Sequence, residues 1–308
     1  MTVLVVGATG KVGHKVVERL VAEGVPIRCA VRDPESEAAH ALRRLDPKLE
    51  LVTLDLARSA PEAFAEACTG VSACIAVSGS TRTTSALDFL PWRFFGSAPS
   101  DDPTHPFFVN YVGIASLAAA AKRAGVARFV RLTGLAVGLR AVHPVAALLN
   151  LLLSCGSMWQ ARGEAAVRAA GLASYTVLRP GGLRDAERST GCGLLVSRQS
   201  ALAPPGLIGR SDVASLAVLA ALGRTTATHN STLSVAWGRP DGADGAPRDW
   251  AAALDQMAVN EPGAARDRMD ATAQPVAPLT AALAYAVAAL AARLVFSAWT
   301  VFVKPQGA

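Results

Sequence analysis

The chain opens on a short apolar run, Val3-Leu4-Val5-Val6, then Gly7-Ala8-Thr9-Gly10-Lys11-Val12-Gly13, then an amphipathic helical pattern over 11–23. Few folds accommodate glycines at that spacing between a buried strand and a helix. Glycine lets the chain turn sharply and lets backbone N–H groups come close to a ligand, while the helix N-terminus adds positive potential. A dinucleotide pyrophosphate needs this arrangement. A glycine-rich turn alone is weak evidence, but one lying directly after a strand and inside a βαβ unit is strong.

Strand and helix signals alternate through the first 180 residues. Apolar strand-like runs fall at 2–6, 26–31, 49–54, 72–77, 128–133 and 174–178, with helical patterns at 11–23, 61–68, 110–124 and 160–170. Strands buried on both faces read as continuous apolar runs, and a β-α-β-α rhythm produces a doubly wound sheet. The expected class is α/β, a Rossmann-like doubly wound parallel sheet with a small C-terminal lobe and an apolar C-terminal helix.

Three stretches depart from that rhythm. Residues 78–108 form a long insertion rich in Ser, Thr, Pro and aromatics, a length that points to a site, a partner or disorder. Residues 238–275 read as an irregular linker around one short helix near 248–258, so the dinucleotide-binding domain is expected over 1–237. From Val276 to Val303 the only charge is Arg293. As a helix, 279–303 is about 37 Å long, enough for a hydrocarbon core of about 30 Å. Trp299 and Lys304 sit where interface anchors belong. Against spanning, the stretch is rich in alanine, and Arg293 costs roughly 2.5–3.5 kcal/mol near mid-bilayer. The segment 276–304 is expected to contact a membrane or a membrane-complex subunit; packing on the protein's own core is the alternative.

The hydrophobic fraction of 51% and charged fraction of 18% exclude a disordered chain. The net charge is +6, yet only five residues are lysines and no basic run forms a nucleic-acid stripe. The excess suits an anionic membrane surface or a phosphorylated ligand. Five cysteines without CxxC or ligand spacing, and five scattered histidines, point to a reducing compartment (plastid stroma, mitochondrial matrix or cytoplasm) and to no metal site. Met1-Thr2 leads straight into the first strand, so no signal or transit peptide is expected in this chain, whether removed or never present.

After the second strand, Arg32 is placed to meet a ribose 2′-phosphate, with Arg28 as a second candidate or a solvated strand-edge charge. Asp33, one residue on, keeps a 2′-hydroxyl reading open. NADP(H) is therefore expected over NAD(H). Asp55-Leu56, after the third strand, fall where a carboxylate meets the adenine amino group, although Asp55 also fits a helix cap. The cofactor-binding set is thus Gly7, Thr9, Gly10, Lys11, Val12, Gly13, Arg28, Arg32, Asp55 and Leu56.

GATGKVG, the VRDP turn, LDL at 54–56, the run 110–134, the run 163–183 and IGRSDVA at 208–214 together resemble the atypical short-chain dehydrogenase/reductases, specifically the NmrA-like, plastid and cyanobacterial NAD(P)-binding group. The likeness covers roughly 1–236 and omits the tail. Fully active members of the superfamily carry Tyr-x-x-x-Lys, the tyrosine exchanging a proton with substrate and the lysine lowering its pKa. Here Gln160 stands in the lysine's place and Gly156 four residues before it, and no lysine lies between Lys122 and Lys304. An amide hydrogen-bonds ribose but cannot depress a phenol's pKa through charge. Arg162, two residues along the helix, faces elsewhere.

What the resemblance leaves for catalysis is Thr133, in the place of a family serine, as a hydrogen-bond donor to substrate or an ordinary strand-end hydroxyl, together with Gln160. Asn110 is expected to cap a helix and Tyr111 to pack beneath the cofactor. Arg179 is expected to pair with Asp185 or Glu187 rather than with a ligand. Three functions stay open: an NADP(H)-dependent oxidoreductase without the Tyr-Lys pair, a non-catalytic NADP(H)-binding subunit or assembly factor of a membrane complex, and a redox sensor.

Overall fold

The computed structural model describes residues 1–85, 100–139, 143–198 and 206–260, with 290 and 293 described singly. The first half runs β1 (Thr2–Val6), α1 (Lys11–Ala22), β2 (Ile27–Val31), α2 (Glu37–Leu45) and β3 (Glu50–Thr53). It continues through α3 (Pro61–Cys68), β4 (Val71–Ala76), a π-helical turn Phe107–Val112 and α4 (Gly113–Arg123). Then come β5 (Arg128–Leu132), a 3₁₀ turn Leu135–Gly138, α5 (Pro144–Leu152), α6 (Gly156–Ala169) and β6 (Tyr175–Pro180). The last part holds β7 (Gly182–Arg184), β8 (Leu194–Ser197), β9 (Leu207–Gly209), α7 (Arg210–Leu222), β10 (Ser231–Trp237) and α8 (Trp250–Asn260).

The main sheet has the order β3-β2-β1-β4-β5-β6-β10-β8. Every pairing in it is parallel except that of β10 with the edge strand β8. Strands β7 and β9 pair separately. Alternation along β1 shows why the strands read as unbroken apolar runs. Val3 and Val5 enter one core layer beneath α1 and α7, while Leu4 and Val6 enter the other with α3 and α4. The strand order reverses between β1 and β4, and in such sheets ligands bind outside the carboxyl ends of the strands at that point.

The strands expected between 2 and 178 and the helices expected between 11 and 170 form within a few residues, while α2, α5, α7 and β7 to β10 were not among the expected elements. The helix expected near 248–258 is α8, and it packs on the sheet: Trp250, Ala253, Leu254 and Met257 are buried in the core that holds β8 and β10. Asp212, in the first turn of α7, ties this lobe together. Its carboxylate accepts the Trp237 indole N–H at 2.6 Å and its carbonyl that of Trp250 at 2.9 Å. The described part of 238–275 therefore lies against the domain rather than apart from it.

Helix α6 starts from an unusual entry. Ser154 and Cys155 are both left-handed, with φ of 50° and 58°. Asn150 of α5 supplies the missing cap, its Oδ1 accepting the N–H groups of Ser157 at 3.1 Å and Met158 at 3.3 Å. Among the described residues no helix is long and apolar enough to cross a membrane. The apolar stretch 276–304 falls outside the described residues apart from two single positions.

Candidate functional site

The glycine turn is built as a cradle. Gly7 has φ +89°, and a Cβ there would sit 2.8 Å from Ser78 N. A Cβ on Gly13 would sit 2.0 Å from the Gly7 carbonyl oxygen. The turn is closed by Gly10 N–H donating to Gly7 O at 3.0 Å. Gly10 is the N-cap of α1, no side chain caps the helix, and its first turn has no acid. The N–H groups of Lys11, Val12 and Gly13 are thus left to a ligand or solvent, under the positive end of the helix. Thr9, Gly10 and Lys11 are exposed, Val12 and Gly13 buried. Lys11 reaches Asp185 at 3.4 Å, and Arg210 meets the same carboxylate at 2.7 Å. These residues fit a pyrophosphate.

At the end of β2 the candidates separate. Arg32 is exposed and makes no hydrogen bond or ion pair among the described residues. Asp33 is turned onto its own loop, its Oδ1 accepting Glu35 N–H at 2.9 Å. Arg28 is not available to a cofactor. Its guanidinium donates to the carbonyls of Glu66, Ala67 and Thr69 at the end of α3 and pairs with Glu50 at 2.8 Å. A basic group suits those orphan carbonyls, so Arg28 is a helix-end partner rather than a phosphate ligand. Asp55 does not cap α3 either, since the N-cap is Ala60. Its Oδ1 instead accepts Ala57 N–H at 2.8 Å, and its own N–H donates to Ser59 Oγ. Leu56 packs on the start of α4, where a Cβ on Gly113 would come 2.4 Å from Leu56 O.

The far end of the crevice lies at the ends of β4 and β5. Gln160 rests there: its Oε1 is 3.9 Å from the Cβ position of Gly134. Thr133 is engaged elsewhere, because its hydroxyl donates to Glu164 Oε1 at 2.7 Å. That proton is not offered to a substrate, so Thr133 positions Glu164 instead. Asn110 is not a cap. It is buried in the π-helical turn, and its Oδ1 accepts Ser80 N–H at 3.0 Å, holding the loop after β4. Tyr111 stacks on Trp159, with centroids 6.1 Å apart, and Arg162 lies 4.9 Å over the same indole.

Arg179 pairs with neither Asp185 nor Glu187. It forms a two-point bridge to Glu164, Nε to Oε1 at 3.0 Å and Nη2 to Oε2 at 2.6 Å. Arg168 reaches Glu164 Oε2 at 3.0 Å and Thr232 Oγ1 at 2.6 Å. Burial alone would push the Glu164 carboxyl up, but the Arg179 charge and bonds, the Arg168 charge and the Thr133 hydroxyl outweigh it and hold the pKa below the usual value. Beside this cluster Arg131 is buried in β5, its Nη1 donating to Ser78 O at 2.7 Å and Ala76 O at 3.3 Å. Burial brings its pKa down to about 10 against the pull of Glu164.

Sequence reasoning missed Glu164, Arg131 and the role of Asn110. Only Arg131 left a visible signal, a charge inside an apolar strand in Arg128-Phe129-Val130-Arg131-Leu132, which needs buried partners.

Comparison with known proteins agrees with this geometry. A family model described as NAD(P)H-binding matches residues 7–222. An uncharacterised chloroplastic protein of Arabidopsis thaliana is 29% identical over 225 residues, covering 71% of each chain. An oxidoreductase of Lactococcus lactis superposes with a TM-score of 0.58 at 20% identity, covering 83% of this chain and 96% of its own. A short-chain dehydrogenase/reductase of Veillonella parvula, solved in complex with NADP, superposes with a TM-score of 0.56 at 15% identity, covering 80% and 98%. The fold is that of short-chain-dehydrogenase-like proteins. With the model spanning more than half of its 308 residues and the phosphate cradle at the head of the match, the chain belongs to the NAD(P)H-binding family.

Proposed function

We propose that the protein binds NADP(H) in preference to NAD(H) and serves as an oxidoreductase of the atypical short-chain dehydrogenase type, without the Tyr-Lys proton relay. The observation that carries the cofactor preference is the pair Arg32 and Asp33: the guanidinium is exposed and unengaged, while the carboxylate is closed on its own turn. When bound, the dinucleotide supplies hydride chemistry. The chain's own residues bind its phosphates through the α1 N-terminus, meet the 2′-phosphate with Arg32 and bring its nicotinamide end toward Gly134 and Gln160. Neither Gly156 nor Gln160 holds a transferable proton, so the fitting acceptor is a carbonyl or alkene that takes its proton from solvent.

Titration of the full chain with NADPH and NADH, with identification of any copurified nucleotide, tests this reading. Tighter binding of NADPH, weakened by Arg32→Ala, supports it; equal binding of the two refutes the preference, and no binding refutes the whole.

The same proposal assigns 1–237 to dinucleotide binding and 276–304 to contact with a membrane or membrane-complex subunit in a plastid-type compartment. The tail's near absence of charge and the chloroplastic relative support this. Membrane association unchanged after deletion of 276–308 would remove the tail from it.

A further inference from the structure

We propose that Asp185 competes from within the protein with the dinucleotide pyrophosphate for Lys11 and Arg210, and so sets how tightly the cradle holds its ligand. The inference rests on the dinucleotide reading above and names a residue that regulates that same site.

Two helices that share one core layer begin here, and both ends call for an anion. Helix α1 starts at Lys11 behind Gly10, with no capping side chain and no acid in its first turn. Helix α7 starts at Arg210 behind Gly209, again with no capping side chain. Uncapped N–H groups at a helix start favour negative charge. The acid in the first turn of α7 is Asp212, and its carboxylate is already engaged by the Trp237 indole at 2.6 Å and by Arg188 at 3.5 Å. The negative charge that reaches the pair of helices is Asp185, one residue beyond β7. Its Oδ1 accepts from Arg210 Nη1 at 2.7 Å and its Oδ2 from Lys11 Nζ at 3.4 Å. One carboxylate thus joins the first residue of α1 to the first residue of α7, with two oxygens on two cations as a phosphate would place them.

This bridge contributes little to the fold. The side chains of Lys11 and Asp185 are 74% and 66% exposed, and water screens such pairs. The pairing of β7 with β9 runs from Gly182 to Arg184 and does not include Asp185. Opening the bridge therefore leaves the sheet and the cradle in place, and its effect falls on the ligand. A pyrophosphate brings more negative charge to Lys11 than one carboxylate does, so it can displace Asp185. To do so it must break the pair and then tolerate the released carboxylate nearby, and both terms lower its affinity.

The experiment measures Kd for NADPH and for NADH on the full chain, on Asp185→Asn and Asp185→Glu, and on Lys11→Met with and without Asp185→Asn. Asp185→Asn is expected to tighten both dinucleotides by about two- to fivefold, because the pyrophosphate is common to them. Asp185→Glu keeps the charge and should stay near the native values. Lys11→Met should weaken binding little in the native background, where Asp185 holds the ammonium group, and about two- to fivefold more once Asp185 is Asn. A carboxylate with a structural role alone would leave the two substitutions additive. Asp185→Asn that binds no tighter, that tightens NADPH alone, or that adds independently to Lys11→Met overturns the inference while leaving dinucleotide binding intact. Weaker binding by Asp185→Asn also overturns it, and would make Asp185 a residue that positions Lys11 for the phosphates. Failure of the native chain to bind either dinucleotide overturns this inference and the cofactor reading together.

Discussion

Glu164 of α6 and Arg179 of β6 meet in a buried two-point bridge of 3.0 and 2.6 Å, with Glu164 fully shielded from solvent. The bridge clamps the helix to the sheet beside the strand ends that form the crevice. Removing one partner leaves the other charged and buried, which typically costs about 3–5 kcal/mol. Glu164→Gln is therefore expected to lower stability by that order in urea denaturation. A change within error would show that the cluster is not dry.

The same residue sets a pH dependence. Its folded pKa lies below the unfolded value of about 4.3. Its stabilisation is complete above the unfolded value and is lost as the pH falls through the depressed folded value. Stability measured from pH 7 downward should drop less steeply in Glu164→Gln than in the native chain. Parallel curves would contradict the depressed pKa.

Arg28 and Arg32 are four residues apart and are expected to behave oppositely. Arg28→Ala removes the donor to the carbonyls of Glu66, Ala67 and Thr69 and should cost about 1–3 kcal/mol of stability with little effect on NADPH affinity. Arg32→Ala should leave the melting temperature in place and weaken NADPH about tenfold while sparing NADH. The reverse pattern would exchange their roles.

Gly13→Ala tests the cradle. The added methyl would meet two backbone atoms, Gly7 O at 2.0 Å and Ala8 Cα at 2.8 Å, so α1 must shift away from the turn. Small-to-large changes in tight packing cost about 1–3 kcal/mol. NADPH affinity should fall about tenfold or more, with the circular dichroism of the fold retained. Unchanged affinity would place the phosphates elsewhere.

Thiol chemistry gives a further check. Burial pushes the Cys29 thiol up to about 12 and that of Cys68 to about 11, and lifts Cys74 and Cys192 as well. Cys155 is only half-buried. Iodoacetamide at neutral pH should label Cys155 first, and Cys155→Ser should remove the fast phase, with the other four reacting on unfolding. Rapid labelling of Cys74 would mean that the sheet opens locally.

Much of the architecture was legible in the residues. Parallel strands buried on both faces need continuous apolar side chains, so Thr2–Val6, Ile27–Val31 and Tyr175–Pro180 announced themselves. The glycine turn was equally plain, because a positive φ at Gly7 and a backbone contact at Gly13 exclude side chains. The antiparallel edge strand Leu194–Ser197 was not, since four residues paired with a strand far along the chain carry no local periodicity.

The sequence by itself determined the class of fold, the phosphate cradle and the missing Tyr-Lys pair, because each depends on residue type at short range. Tertiary structure alone decided which charges meet. Arg179 chose Glu164, fifteen residues away on another element, over the nearby Asp185. Arg28 turned to the end of α3, and Arg131 came to rest inside the sheet against the carbonyls of Ala76 and Ser78. Electrostatic partnership is a function of distance through space in a low-dielectric interior, and that distance is set only when the strands and helices have packed.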